Sequence, residues 1–239
     1  MQKILFIADF FVNEIAGGAE IYDDILVSLF EADGIDVVKF KTSEVSHRHV
    51  HLYRECGYHI VVSNFCALTS DTMRAMVAKP GSYSIVEHDH KYLPNRNPSI
   101  YDDFQAPPER IINRHFYANA KNVFAQSKIH AEVIRKNLKI ANVINLGMSL
   151  WTDELLTIIE NHLDDEKQPD ASIIESNNPT KNTVGSVEHC KQKGIDYTLI
   201  GSNDYETYIS QLASHQAYVY IPVVLETFNR VLLEARMLN

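Results

Sequence analysis

Glu226 and Glu234 stand eight positions apart in the run Leu225-Glu226-Thr227-Phe228-Asn229-Arg230-Val231-Leu232-Leu233-Glu234-Ala235. The run predicts a strand-to-helix turn that holds Glu226. Glu234 falls about two helical turns further on, at a nearby azimuth for ~3.6 residues per turn. Thr227 or Asn229 can cap the helix and leave backbone N–H groups beside Glu226. Such a helix start attracts phosphate, and a carboxylate accepts the paired hydroxyls of a ribose or hexose. Together the parts suit a ligand with hydroxyl-rich ends and a diphosphate between them. The same spacing also fits an amphipathic terminal helix with one capping acid and one solvated acid, and spacing alone leaves both readings open.

Residues of this kind need a sheet to present them, and the hydrophobic pattern supplies one. Lys3–Asp9 is a continuous apolar run, as for a strand buried on both faces, and Glu20–Phe30 has one apolar helical stripe. Further strands are expected at Ile35–Phe40, His59–Ser63, Tyr83–Glu87, Asn122–Ala125 and Asn142–Asn145, and helices at Asp71–Ala78, Glu109–Ala120 and Ile129–Asn137. After Asn145 the alternation restarts. Helices are expected at Asp153–His162, Asn182–Lys193, Glu206–Ala213 and Asn229–Leu238, and strands at Ser172–Glu175, Tyr197–Ile200 and Tyr218–Ile221. Asp164–Asp170 reads as an acidic connection. The pattern is that of an α/β protein with mainly parallel sheets in two Rossmann-like domains, 1–150 and 151–239.

Composition narrows the class. A chain of 239 residues, 45% apolar and 22% charged, can build an ordinary core, which excludes disordered and low-complexity proteins. No run of eighteen apolar residues occurs, and Ile4–Ile7 meets Asp9 at once, so that segment reads as a strand and not a signal peptide. Cys56, Cys66 and Cys190 form no close pair and point to free thiols in a reducing cytoplasm. The net charge of −9 divides as −1 over residues 1–150 and −8 over 151–239. That balance argues against nucleic acid as the general partner, because binding phosphate backbones needs a basic face.

The 225–235 run resembles the "E, seven residues, E" signature of retaining GT-B glycosyltransferases of the group 1 (family 4) class, including its Phe and its Leu-Leu-Glu-Ala end. Gly17-Gly18-Ala19-Glu20 is similar to the family's glycine loop, Glu87-His88-Asp89 to its His-Asp pair, Ala125-Gln126-Ser127 to its strand ending in serine, and Asn145-Leu146-Gly147 to its Asn-Gly turn. Lys181, before a helix, stands at the family's phosphate lysine. The resemblance implies a metal-independent transferase with no cofactor beyond its donor, a nucleotide-diphospho-sugar. Glu226 would contact the transferred sugar and Glu234 the nucleotide ribose. Phe228 and Asn229 would offer backbone groups to the sugar-diphosphate, which Gly17 and Gly18 would approach from the other domain. Lys181 would hold the departing diphosphate, and His88 would lie near the reacting sugar and acceptor.

The chain departs from the pattern in several places. Ser176 replaces the family's Arg, Asn229 replaces a glycine, and Arg230 could stand in for the missing cation. The chain stops at Asn239, before the family's final strands and returning helix, so the second domain is expected to be truncated. These departures keep a second reading open, a non-catalytic nucleotide-sugar-binding or assembly subunit.

A third reading, a metal-dependent hydrolase, would rest on His47, His49 and His51, which would share one face of a strand, with His88, Asp89 and His90 as further ligands. Finally, residues 109–139 carry Arg110, Arg114, Lys121, Lys128, Arg135, Lys136 and Lys139 against Glu109 and Glu132. This run reads either as a solvated surface or as a face for an acceptor or for peripheral membrane contact. The acceptor itself, whether glycan, lipid-linked or small molecule, is left open.

Overall fold

The structure, a computed structural model, describes residues 2–15 and 17–238. It separates into two compact units, Met1–Leu150 and Trp151–Asn239.

The first unit is built on six parallel strands: β1 (Lys3–Ala8), β2 (Asp36–Lys41), β3 (His59–Val62), β4 (Tyr83–Glu87), β5 (Val123–Ala125) and β6 (Val143–Asn145). Their spatial order is β2-β1-β3-β4-β5-β6. The order reverses between β1 and β3, and in such sheets the crevice for ligands opens there, beyond the carboxyl ends of the strands. Alternate residues of β1 feed opposite faces. Leu5 and Ile7 join the larger core with Ile60, Val62 and Ile85, and Ile4, Phe6 and Ala8 join the smaller one with Val61 and Val86. Helix α1 (Gly18–Ala32) covers the smaller core through Tyr22 and Val27. Helices α2 (His47–Glu55), α3 (Ser70–Val77), α4 (Arg114–Asn119) and α5 (Lys128–Leu138) cover the larger one. The β1 run is apolar because both faces are dry.

Two expectations fail in this unit. His47, His49 and His51 lie on α2 and not on a strand. Ser46 starts that helix by a reciprocal cap with His49: the His49 N–H donates to Ser46 Oγ at 3.5 Å, and the Ser46 N–H to His49 Nδ1 at 3.2 Å. At ~100° per residue His49 points away from its two neighbours, so the one-faced histidine row does not exist. The helix expected over Glu109–Ala120 is broken. Pro108–Arg110 forms a short turn, and Asn113, at φ 55°, precedes α4.

The second unit holds three parallel strands in the order β8-β7-β9: β7 (Gln168–Ile174), β8 (Tyr197–Ile200) and β9 (His215–Tyr218). Its helices are α6 (Asp153–Asn161), α7 (Thr183–Lys193), α8 (Tyr205–Ala213) and α9 (Arg230–Met237). Ile159, Ile200, Ile209, Leu212, Ala235 and Leu238 make the core. Lys167 fastens two helix ends, donating to Ala213 O at 3.2 Å and Leu238 O at 2.7 Å, where a cation also meets the negative ends of α8 and α9. Strand β7 reaches back into the supposed acidic connection. Strand β9 covers His215–Tyr218, so it shares only Tyr218 with the expected strand Tyr218–Ile221.

Candidate functional site

The candidate site of the second unit lies past the carboxyl ends of β7 and β9. After β7 the chain makes a turn at Pro179–Lys181, and Asn178 Oδ1 accepts from the Thr180 N–H at 3.0 Å. Asn182 then sits in the left-handed region at φ 51°, which an asparagine tolerates better than most residues. Its Oδ1 caps α7 by accepting from Gly185 N at 3.3 Å, and its Nδ2 donates to Ile221 O at 2.8 Å. A Cβ at Gly185 would stand 2.7 Å from Asn182 Oδ1, so a larger residue there would push this cap aside. Ser186 Oγ accepts from the Ile221 N–H at 3.3 Å. The cap Asn182 and the α7 residue Ser186 take both backbone groups of Ile221, which draws this segment away from the β9 ladder. They also draw the segment after β9 against the α7 start.

The consequence is a contact across 45 positions. Lys181 Nζ lies 3.4 Å from Glu226 Oε1, and the Tyr220 hydroxyl donates to that same oxygen. The ammonium is 5.6 Å from the Tyr220 ring centroid. Glu226 Oε2 takes no hydrogen bond among the described residues. The Lys181 and Glu226 side chains remain partly exposed, at 33% and 24%. The Tyr220 hydroxyl is pushed far above the usual tyrosine range by burial, then by its bond to Glu226. It is therefore a permanent donor. A cation, a carboxylate with an open oxygen and a fixed hydroxyl can together receive an anion and a hydroxyl-bearing group side by side.

Helix α9 carries the rest of the acidic run. Asn229 is its cap and accepts from Leu232 N at 2.9 Å, while Thr227 is buried in the turn and Phe228 half-buried. Glu234 is 2% exposed. Its Oε1 accepts from Trp151 Nε1 at 3.0 Å and from the Tyr205 hydroxyl at 3.0 Å, and Arg230 Nη2 lies 3.7 Å away. The Arg230 guanidinium stacks 4.4 Å from the Trp151 ring centroid. Burial lowers the Arg230 pKa against the opposing pull of Glu234, and burial followed by Glu234 raises that of Tyr205. Arg230 is thus placed on Trp151 and Glu234. Ser176 shapes the turn before α7: its N–H donates to Thr183 Oγ1 at 3.2 Å, and its Oγ accepts from Asn178 N at 3.1 Å.

In the first unit, Gly17 caps α1 in extended backbone and Gly18 is the first helical residue. The Glu20 carboxylate folds over Gly17 where a Cβ would stand. Burial, the largest influence, raises the Glu20 pKa. His88 follows β4. Its Nε2 is 2.9 Å from Asp23 Oδ1 and its Nδ1 3.0 Å from Gln126 Nε2, with Tyr22 packed edge-on at 5.2 Å. Next to it lies a buried ion group that sequence reasoning missed. Lys91 Nζ donates to Glu87 Oε1 at 2.8 Å and lies 2.9 Å from Asp89 Oδ1, Tyr117 donates to Glu87, and Arg96 Nη1 reaches Asp89 Oδ2 at 3.2 Å. Burial alone would raise the Asp89 pKa, but Lys91, with Arg96, holds it down to about 2.

Part of the 109–139 basic run is spent inside the unit. Arg114 donates to Leu138 O and Asn137 O at 3.0 and 3.1 Å, Arg135 to Val143 O at 2.7 Å, and Lys136 to Asp103 O at 2.8 Å. Among the described residues no group of three or more His, Cys, Asp or Glu could hold a metal ion, and no helix is long and apolar enough to cross a membrane.

No protein-family model and no curated protein sequence matches the chain. Among solved structures the chain is similar to an alpha-glucosyltransferase in complex with UDP and a 13-mer DNA containing a HMU base. The TM-score is 0.51 and the identity 9%, over 96% of this chain and 73% of that one. At that identity the likeness is one of fold. The chain has the two Rossmann-like domains of the GT-B glycosyltransferase architecture, the second domain smaller than the first.

Proposed function

We propose that the chain is a retaining, metal-independent glycosyltransferase of the group 1 (family 4) kind that transfers a sugar from a nucleotide-diphospho-sugar. The observation that carries this reading is the 3.4 Å approach of Lys181 to Glu226 beyond the carboxyl ends of β7 and β9. In the absence of donor the two charges neutralise each other. With donor bound, Lys181 turns to the diphosphate and offsets the charge that grows on it as the glycosidic bond breaks. Glu226 then accepts hydroxyls of the transferred sugar through Oε2. Backbone groups of Phe228 and Asn229 flank the diphosphate. Glu234 has only Oε2 to offer the ribose, since Oε1 already serves Trp151 and Tyr205.

The acceptor is proposed to be a glycan, a lipid-linked sugar or a small molecule. The solved neighbour was determined with DNA, but a net charge of −9 opposes a phosphate backbone here.

The test is sugar release to water from UDP-, GDP- and ADP-glucose with a chelator present, followed by NMR of the released anomer. The expectation is slow release of the α anomer from one donor, abolished in Glu226→Gln. Release that requires an added metal, or gives the inverted anomer, contradicts the proposal. The enclosed state of Glu234, held like a structural acid, favours one alternative, a non-catalytic binding subunit. That alternative predicts donor binding without any release.

A further inference from the structure

We propose that Tyr220 is a positioning residue for the Lys181–Glu226 pair, its hydroxyl fixing the carboxylate that meets the sugar and its ring seating the ammonium that meets the diphosphate. The inference rests on the transferase reading and assigns a role to a residue outside the resemblance.

Glu226 Oε1 is shared by two donors, the Tyr220 hydroxyl and Lys181 Nζ. When Lys181 turns to a diphosphate, a carboxylate held by lysine alone would lose its only anchor and rotate freely. Tyr220 prevents this because its bond to Oε1 does not depend on Lys181, and Oε2 stays where it was. The tyrosine is itself held. Its ring stacks on Tyr218 with centroids 6.1 Å apart and planes 15° apart, and the next residue, Ile221, is gripped on both backbone groups by Asn182 and Ser186. The turn before α7 that carries Lys181 and the loop that carries Glu226 therefore meet at one rigid aromatic residue. The ring has a second use. Its face lies 5.6 Å from the ammonium, a distance at which a cation is attracted but can still leave.

Hydroxyl and ring can be separated by two variants of the full chain, Tyr220→Phe and Tyr220→Leu. Calorimetry would use UDP, GDP, ADP and their three glucose conjugates, so that each pair differs only by the sugar. In Tyr220→Phe the diphosphate should bind within about twofold of wild type, because Lys181 keeps its seat. The matching glucose conjugate should weaken about tenfold, the size of one lost hydrogen bond to a charged group. Tyr220→Leu should weaken the bare diphosphate as well, by about threefold or more. In a Glu226→Ala background Tyr220→Phe should cost the conjugate under about twofold, since the acceptor it positions is gone. Equal losses for diphosphate and conjugate in Tyr220→Phe, no loss at all, or a full tenfold further loss in the Glu226→Ala background would overturn the positioning role while the transferase reading stands. Failure of the wild-type chain to bind any of the six compounds would overturn that reading, and the role with it.

Discussion

Replacing Glu234 by alanine should unfold the second unit more readily than any other single change in the 225–235 run. Glu234 is 2% exposed, and one of its oxygens receives both Trp151 Nε1 and the Tyr205 hydroxyl at 3.0 Å. Hydrogen bonds to a charged group contribute about 1.5–3 kcal/mol each. The two bonds share an oxygen and will not add in full, so about 2–3 kcal/mol is the reasonable loss for both. Truncation also leaves a small hole beside Trp151 and Tyr205 and removes a carboxylate 3.7 Å from Arg230, for about 1 kcal/mol more. The sum is about 3–4 kcal/mol. Glu234→Gln keeps the shape and one acceptor and should lose about half as much. Trp151 is the single tryptophan of the chain and bonds to the residue being changed, so its fluorescence during urea unfolding reports this unit directly. At ~4–8 °C per kcal/mol for a domain of this size, the alanine variant should melt more than about 10 °C lower. A loss under about 1 kcal/mol would refute the reasoning, since the donors of Trp151 and Tyr205 would then have satisfied themselves elsewhere.

Gly185→Ala should loosen the joint between α7 and the Tyr220–Glu226 loop, because the added Cβ meets Asn182 Oδ1 at 2.7 Å; a loss of about 1–3 kcal/mol is expected in the same urea experiment. Asp89 has its folded-state pKa depressed to about 2, so the stability it lends the first unit is present above the unfolded value near 3.9 and fades as pH falls through 2. Asp89→Asn should therefore flatten the acid limb of a stability–pH curve between about pH 4 and 2, and an unchanged limb would contradict the Lys91–Asp89 pairing. Lys167→Met should cost about 1–2 kcal/mol by leaving the Ala213 and Leu238 carbonyls without their shared donor, checked by thermal melting.

Much of the fold could be read from local pattern. The strands Lys3–Ala8 and Tyr83–Glu87 coincide with apolar runs, and helix α5 with its 3.6-residue stripe, because burial imposes those periods directly. Helix α2 was illegible because three histidines and the exposed Leu52 blur its apolar face, and its cap depends on a histidine side chain. The end of β9 was illegible for another reason. Tyr-Val-Tyr-Ile looks like strand to Ile221, but Asn182 and Ser186, more than thirty residues earlier, take the Ile221 backbone out of the ladder.

The candidate site divides in the same way. Glu226, Glu234 and Lys181 are visible as residue types in suggestive places. That Lys181 reaches Glu226, that Tyr220 joins them, and that Trp151 and Tyr205 enclose Glu234 are long-range facts, and no spacing rule encodes them. Nor does spacing reveal that Arg230 lies on Trp151, or that Asp23 and Gln126 flank His88.

The central claim is that Lys181 and Glu226 form one receptor for an activated sugar, and calorimetric titration of the whole chain with UDP-, GDP- and ADP-glucose tests it most directly. One of the three should bind, and Lys181→Ala should weaken that binding at least tenfold, the loss of one charge-assisted contact to phosphate. No binding by any of the three, or the same affinity with and without the lysine, would contradict the account.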